Sequence, residues 1–267
     1  MKLSVCTDAL FRGVDTVEAM NRVKTAGYSA IEFWSWWDKD IDAIAREKER
    51  LGLKVVAFCT KMESPIDKQS AFLEGLEESI AVAKTLDCHQ LITQSGADTG
   101  EPRAKQREKM LKCLSQAAPK LEKANITLLL EPLNEVRDHP GIFSVRSDDT
   151  VEILEALKSP NVKYLFDIYH QQISEGDVIT NICRYLPYIG HFHCAGNPGR
   201  GELYNGELHY GNIFTAIGDT GYTGYMGLEY FPSDPVERGL QYALDQINNE
   251  PVLPNRGPYE CGFTKSP

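Results

Sequence analysis

The sequence predicts an α/β protein folded as a single (β/α)₈ TIM barrel. Two observations predict this fold: eight short apolar segments alternate with helical segments, and the 267 residues match the typical length of one barrel. About 250 residues divided into eight βα units give a repeat of about 31 residues, close to the spacing of the segments. Near-continuous apolar strands are also what a parallel sheet requires when both of its faces are buried.

The eight predicted strands are short runs of apolar or β-branched residues. In chain order they cover residues 3–6, 30–33, 55–59, 90–93, 127–131, 164–167, 189–194 and 225–230. A doubly wound open sheet would show the same alternation, because periodicity does not reveal whether a sheet closes. We expect the closed barrel, since it accounts for eight units in one chain of this length.

The segments between the strands carry helical signals. Three of them are charged and free of breakers or have apolar residues at a spacing of three and four: 43–50, 70–86 and 105–123. Glycines stand between a helix and the next strand at three places, Gly27, Gly52 and Gly221, where a left-handed helix cap is expected. These joints support the alternation of helices and strands.

The chain shows no linker, low-complexity tract or shift in composition that would divide it. We therefore expect one barrel domain over residues 1–254. The remaining residues, 255–267, are rich in Gly and Pro, and we expect them to form a C-terminal tail outside the barrel.

Composition and charge limit the partners. Hydrophobic residues make up 42% of the chain, but no apolar run approaches the roughly 20 residues that cross a bilayer, so no membrane partner is expected. The net charge of −10 would repel a phosphate backbone, which argues against nucleic acid. The seven cysteines are scattered without C-x-x-C spacing, and no export signal precedes the first strand. These features predict a soluble, cytoplasmic protein.

Four predicted strands end on a side chain that can bind metal. These residues are Glu131, Asp167, His193 and Glu229, on the fifth to eighth strands. In a barrel the carboxyl ends of all strands open on one face, so ligands far apart in sequence can meet there. Three carboxylates and one imidazole suit one divalent ion, Mn²⁺ or Mg²⁺ before Co²⁺ or Zn²⁺.

Each of these residues has a less specific interpretation when it is considered alone. A single acidic residue after a strand is more often a helix N-cap or a solvated loop residue. A charge in an apolar run such as Leu128-Leu129-Leu130-Glu131 is costly to bury unpaired, however, and several such strands in one chain share an explanation in a common cation.

The histidines follow the same pattern. His89 and His209 are expected at the surface, whereas four others lie at or after predicted strand ends: His139, His170, His191 and His193. His191 and His193 are two residues apart, so on a strand they face the same side. One of them can bind metal while the other packs beside it or supports it.

Several motifs from Glu131 onward resemble the hydroxypyruvate isomerase family, in the xylose isomerase-like (AP endonuclease family 2) superfamily of metal-dependent barrels. The motifs are Glu131-Pro132-Leu133-Asn134, Arg137-Asp138, Pro140-Gly141, Phe166-Asp167-Ile168-Tyr169-His170, Pro198-Gly199-Arg200-Gly201-Glu202, Gly206-Glu207 and Leu228-Glu229-Tyr230. The resemblance covers most of the chain and is densest between residues 131 and 232.

The resemblance implies roles for the metal-binding residues. Glu131 and Glu229 would be both metal ligands and the acid–base pair, and Asp167 and His193 would complete the coordination. A metal that holds neighbouring carbonyl and hydroxyl oxygens acidifies the C–H between them. One glutamate then removes a proton to give a cis-enediolate and the other returns it.

The resemblance also implies substrate contacts. His170 would contact the substrate, and Arg200 has a planar fork that suits a carboxylate. Glu32, at the end of the second strand, and Glu207, in the Gly206-Glu207 motif, are further candidates for substrate binding. For Glu32, capping a helix or facing solvent is an equal alternative.

The sequence departs from the family in ways that leave the reaction open. Hydroxypyruvate isomerases typically carry Gln where this chain has His193, and ketose 3-epimerases carry His. The segment 134–138 is one residue longer than the family's Asn-x-Arg-Asp. The epimerases favour a Glu six residues after the first ligand, where this chain has Arg137. A hydroxypyruvate/tartronate semialdehyde isomerase is the first expectation, and a ketose 3-epimerase or other sugar isomerase is the alternative.

Two other functional classes fit the sequence less well. Abasic-site endonucleases of the superfamily resemble this barrel but bind three zinc ions with additional histidines, which the third strand, ending Phe58-Cys59-Thr60, and the fourth, Leu91-Ile92-Thr93-Gln94, lack. A non-catalytic sugar-binding barrel does not need two buried glutamates beside a metal.

An aromatic group, Trp34, Trp36 and Trp37, follows the second strand. It could wall the pocket, but such clusters are more often packing or a contact between subunits. A homo-oligomer is therefore an alternative that the sequence allows.

Overall fold

The computed structural model describes residues 1–248, which form a closed barrel of eight parallel strands in sequence order. The strands are β1 (Lys2–Cys6), β2 (Ala30–Phe33), β3 (Lys54–Cys59), β4 (Gln90–Gln94), β5 (Thr127–Glu131), β6 (Val162–Asp167), β7 (Ile189–Cys194) and β8 (Tyr225–Leu228). The predicted (β/α)₈ fold is confirmed, and every strand end lies within two residues of its prediction. The predicted boundary between residues 254 and 255, and the tail 255–267, lie outside the described residues.

Helices follow the strands and cover the outside of the barrel. They are α1 (Thr7–Leu10), α2 (Thr16–Thr25), α3 (Ile41–Leu51), α4 (Gln69–Thr85), α5 (Arg103–Ala124), α6 (Ser147–Leu157), α7 (Ile168–Ser174), α8 (Val178–Tyr185), α9 (Tyr210–Asp219) and α10 (Val236–Asn248). The three helices predicted at 43–50, 70–86 and 105–123 correspond to α3, α4 and α5.

The ends of the helices carry the capping residues that were expected from the sequence. Asp40 caps the start of α3, where its side chain accepts a hydrogen bond of 2.9 Å from the Ala43 backbone N–H. Gly52 ends the same helix in the left-handed conformation, with φ of 61°. Gly27 and Gly221 also have positive φ, 92° and 77°. The predicted glycine caps are therefore present.

The alternation of side chains along β5 and β6 positions the site. Leu128 and Leu130 belong to the large apolar core, whereas Leu129 belongs to a second buried cluster that also contains Leu165 of β6. Because side chains alternate along a strand, the residues two positions beyond Leu129 and Leu165 point to the same side. Those residues are Glu131 and Asp167.

The helices and the cysteines can be compared with what the composition predicts. None of the described helices is long and apolar enough to span a membrane. Within the described part of the chain, five cysteines are free and buried: Cys6, Cys59, Cys88, Cys113 and Cys194.

Candidate metal centre and active site

The four residues predicted to bind metal meet at the carboxyl ends of the last four strands. Each of them, Glu131, Asp167, His193 and Glu229, offers one ligand atom, and these atoms all lie within 4.8 Å of one another. All four residues are buried. A compact group of three carboxylates and one imidazole could hold a divalent cation.

Two atoms of this group have no hydrogen-bond partner within residues 1–248. They are Nδ1 of His193 and Oε1 of Glu131, which are buried and lie 3.6 Å apart. His193 Nδ1 is also 3.4 Å from Oε2 of Glu229. Leaving buried polar atoms unpaired is costly, so a cation bound between these two atoms would stabilise both. The donor atoms therefore fit the metal predicted from the sequence.

Glu229 directly follows β8 and is held on both oxygens. The indole Nε1–H of Trp34 donates to Oε1 at 2.6 Å, and the guanidinium of Arg200 donates to Oε2. Burial alone would raise the pKa of Glu229, but the positive charges of His193 and Arg200 outweigh burial and lower it. Glu229 is therefore a carboxylate whose position is fixed before any substrate binds.

Asp167 links the end of β6 to α7 through a helix cap. Its Oδ1 accepts backbone hydrogen bonds from Tyr169 at 2.8 Å and His170 at 3.3 Å, which directs Oδ2 towards the other ligands. Burial, with the negative charges of Glu131 and Glu229, raises the pKa of Asp167 to about 7 despite the opposing charge of Arg200. A bound cation would offset this crowding of negative charge.

The ring of His170 presents a hydrogen-bond donor to the site. Its Nδ1 accepts from the backbone N–H of Asn134 at 3.2 Å and lies 2.7 Å from the Asn134 side-chain nitrogen. The proton therefore belongs on Nε2, which is buried, lies 3.6 Å from Asp167 Oδ2 and has no hydrogen-bond partner within residues 1–248. Burial, together with the charge of Arg200, lowers the pKa of His170, so this ring is neutral.

These side chains face a cavity of about 670 Å³ at the mouth of the barrel. Of the residues predicted to form the site, five line it: Glu131, His170, His193, Arg200 and Glu229. His139 also lines the cavity, whereas His191 lies inside the barrel and His89 and His209 are exposed. The cavity is large enough to enclose a small hydroxy-carbonyl compound.

Glu32 does not line this cavity. It is buried inside the barrel on β2, with 1% of its surface exposed. Its Oε2 pairs with Nε2 of His193 at 2.9 Å, and its Oε1 pairs with Nε2 of His191 at 3.0 Å. Burial alone would raise the pKa of Glu32, but the two histidines outweigh burial and lower it. The structure thus places Glu32 behind His193, away from the position expected of a substrate contact.

Glu207 also lies outside the cavity lining. It is an exposed residue of the loop after β7, and it accepts hydrogen bonds from the Asn197 side chain at 2.5 Å and the Gln172 side chain at 3.1 Å. Its backbone N–H donates to the Asn197 carbonyl at 2.8 Å. These contacts tie together the loop that carries Arg200.

Three residues that are not among the predicted site residues contribute to the site. Trp34, for which packing was favoured over a wall of the pocket, lines the cavity and bonds to Glu229, whereas Trp36 and Trp37 are absent from the lining. Gln94 donates to Glu131 Oε2 at 3.0 Å, and Asn134 orients His170. Gln94 could have been found, because it ends β4 as Glu131 ends β5.

Comparison with known proteins agrees with this geometry. A family profile described as xylose isomerase-like TIM barrel matches residues 20–249. A human protein named putative hydroxypyruvate isomerase is 32% identical over 234 residues, covering 82% of this chain and 84% of the human protein. A 2-oxo-tetronate isomerase of Cupriavidus necator is 41% identical over 138 residues, covering 52% of this chain and 53% of that protein.

A solved structure extends the comparison to three dimensions. The crystal structure of an AP endonuclease, family 2, from Brucella melitensis matches with a TM-score of 0.87 and 30% identity, covering 91% of this chain and 98% of that one. With its closed eight-stranded barrel and a profile match over most of its length, this chain belongs to the xylose isomerase-like TIM barrel family, among relatives that include the hydroxypyruvate isomerases.

Proposed function

We propose that this protein is a metal-dependent isomerase that converts hydroxypyruvate to tartronate semialdehyde. The observation that carries the proposal is the pair of buried glutamates, Glu131 and Glu229, whose oxygens lie 3.6 and 3.4 Å from the unpaired Nδ1 of His193. The names of the relatives support the isomerase class. The reaction moves a proton from the hydroxymethyl carbon of the substrate to the adjacent carbonyl carbon, and the hydroxyl proton from one oxygen to the other, so it needs side chains that can take up and return protons.

The residues that would hold the metal are Glu131, Asp167, His193 and Glu229. When bound, a divalent ion supplies positive charge that acidifies the C–H beside the substrate carbonyl. We expect Mn²⁺ or Mg²⁺, because three of the four ligands are carboxylates, with Co²⁺ and Zn²⁺ as weaker candidates.

The protein itself would move the proton and hold the substrate. One oxygen of Glu131 accepts a hydrogen bond from Gln94. The other oxygen has no hydrogen bond within the described chain, so it is able to accept a proton. Glu229 is the second proton carrier, held by Trp34 and Arg200. The Nε2–H of His170 is positioned to donate to a substrate oxygen on which negative charge develops.

Arg200 is the candidate partner for the substrate carboxylate. Its guanidinium bonds to Glu229 and lies 5.4 Å from the ring centre of Tyr169 and 5.5 Å from that of Phe231. A guanidinium has five N–H donors, so the bond to Glu229 leaves others for a ligand in the cavity.

Replacing Arg200 by alanine is expected to raise the KM for hydroxypyruvate by about 10- to 100-fold, the effect of losing about 1.5–3 kcal/mol from a charge-assisted hydrogen bond. The KM for an uncharged ketose should rise much less, because that substrate has no carboxylate. Loss of the contact between Arg200 and Glu229 affects both substrates alike. The ratio of the two KM values therefore isolates the contact between Arg200 and the substrate carboxylate. Arg50→Ala, which removes an exposed guanidinium bonded to Glu47, is the control. Equal increases for both substrates would exclude the carboxylate role.

The proposed reaction is tested by turnover of Mn²⁺-loaded protein on hydroxypyruvate, 2-oxo-tetronate and a panel of free ketoses. Treatment with EDTA should abolish turnover of hydroxypyruvate and added Mn²⁺ should restore it, since the acid–base pair acts on a C–H acidified by the cation. Activity that survives complete removal of metal would contradict the mechanism. Activity confined to ketoses would instead identify a sugar epimerase or isomerase.

A further inference from the structure

The buried carboxylate of Glu32 connects three strands below the candidate metal centre. Oε2 faces Nε2 of His193 at 2.9 Å, and Oε1 faces Nε2 of His191 at 3.0 Å and accepts a hydrogen bond from the Ser4 hydroxyl. These residues come from β1, β2 and β7 and are all buried. Three donors thus converge on one carboxylate.

This group could itself hold a cation, since Glu32, His191 and His193 offer ligand atoms within 4.8 Å of one another. The distances of 2.9 and 3.0 Å, however, are those of direct hydrogen bonds between the carboxylate and the two rings. A carboxylate that already accepts three hydrogen bonds needs no further positive charge. The geometry therefore favours a hydrogen-bond network over a second metal site.

The network fixes which nitrogen of His193 is free to bind metal. A histidine that binds a metal is neutral, even where the metal-free ring is charged, so it has one N–H and one bare nitrogen. If Nε2–H donates to Glu32, the bare nitrogen is Nδ1, which is buried without a hydrogen bond within residues 1–248 and faces Glu131 and Glu229. The opposite tautomer would direct a proton at the metal position and leave Glu32 facing a lone pair.

We propose that Glu32 is a positioning residue that holds the Nε2–H form of His193, so that Nδ1 binds the metal, while His191 and Ser4 hold the other oxygen of Glu32. This inference rests on the metal site of the proposed function. It gives Glu32 a role behind the site in place of the substrate contact expected from the sequence.

The first test compares the affinity for Mn²⁺ of the wild type and of Glu32 variants by calorimetry. Glu32→Leu removes every acceptor and is expected to weaken Mn²⁺ binding about 10- to 100-fold, the usual effect of losing such a partner. Glu32→Gln keeps one acceptor oxygen and should recover part of the affinity. Glu175→Gln is the matched control, because Glu175 also accepts a hydrogen bond from a serine, but its partners Ser147 and Arg146 lie outside the metal centre; its affinity should stay within about threefold of the wild type.

The second test is made on the wild-type protein, and a variant serves only to assign its signals. In wild-type protein loaded with Zn²⁺, ¹⁵N NMR of the histidine rings should show metal on Nδ1 of His193 and a proton on Nε2. The His193→Gln variant assigns those signals by their loss. Zinc on Nε2 of His193, or two bound ions per chain with His191 as a ligand, would overturn the inference.

The outcomes separate this inference from the proposed function. Wild-type protein that takes up no Mn²⁺ would overturn the metal site and the role of Glu32 together. Wild-type protein that binds Mn²⁺, with Glu32→Leu binding it equally well, would overturn only the role of Glu32.

Discussion

Replacing either Glu131 or Glu229 by glutamine is expected to reduce kcat by about 100- to 10,000-fold, the usual contribution of acid–base catalysis. An amide has nearly the shape of the carboxylate but cannot take up a proton. It also removes one negative charge from the metal centre. The side chains are buried, and a neutral amide is less costly to bury than a carboxylate, so the fold should persist. The measurement is steady-state turnover of metal-loaded protein, with circular dichroism to verify the fold.

Glu155→Gln is the control for these variants. Glu155 is an exposed residue of α6 that bonds to the Tyr188 hydroxyl, and its replacement should leave kcat unchanged. Glutamine variants at 131 or 229 that keep substantial activity would refute the two-glutamate mechanism.

Gly227→Ala is expected to destabilise the protein by about 1–3 kcal/mol, the typical cost of overpacking a core. Gly227 lies on β8, and a Cβ atom there would approach the His193 ring to 2.7 Å and the two Glu32 oxygens to 2.8 and 2.9 Å. None of these groups can move freely, because the carboxylate and the ring hold each other. We expect both a lower free energy of unfolding in urea and weaker Mn²⁺ binding.

Gly218→Ala is the matched substitution for this prediction. Gly218 lies in α9, where a Cβ atom would have no neighbour within 4 Å. Alanine favours helix over glycine by up to about 1 kcal/mol, so this variant should be unchanged or slightly more stable. If the two variants had the same stability, close packing around Gly227 would not be a constraint on the barrel.

The strands and the four ligand candidates could be predicted because each depends on a local pattern. An apolar run ending in Glu131 or Asp167 is visible in the sequence, and the barrel geometry then brings such ends together. The structure places the ligand atoms of the four candidates within 4.8 Å of one another.

The partners of those residues could not be predicted in the same way. Whether Glu32 contacts substrate or His193 depends on its depth within the closed barrel, which the end of a strand does not reveal. Trp34 reaches Glu229 between β2 and β8, two strands that both flank β1. That contact exists only because the sheet closes, and no spacing along the chain encodes it.

The hydrogen bond between Trp34 and Glu229 also gives the protein an optical reporter. The chain has three tryptophans, and of these Trp34 has its indole N–H 2.6 Å from a candidate metal ligand. Indole fluorescence responds to the charge and polarity around the ring, so binding of a cation or substrate at Glu229 should change the emission of Trp34. With Trp36 and Trp37 replaced by phenylalanine, occupancy of the site could be followed during turnover without a label.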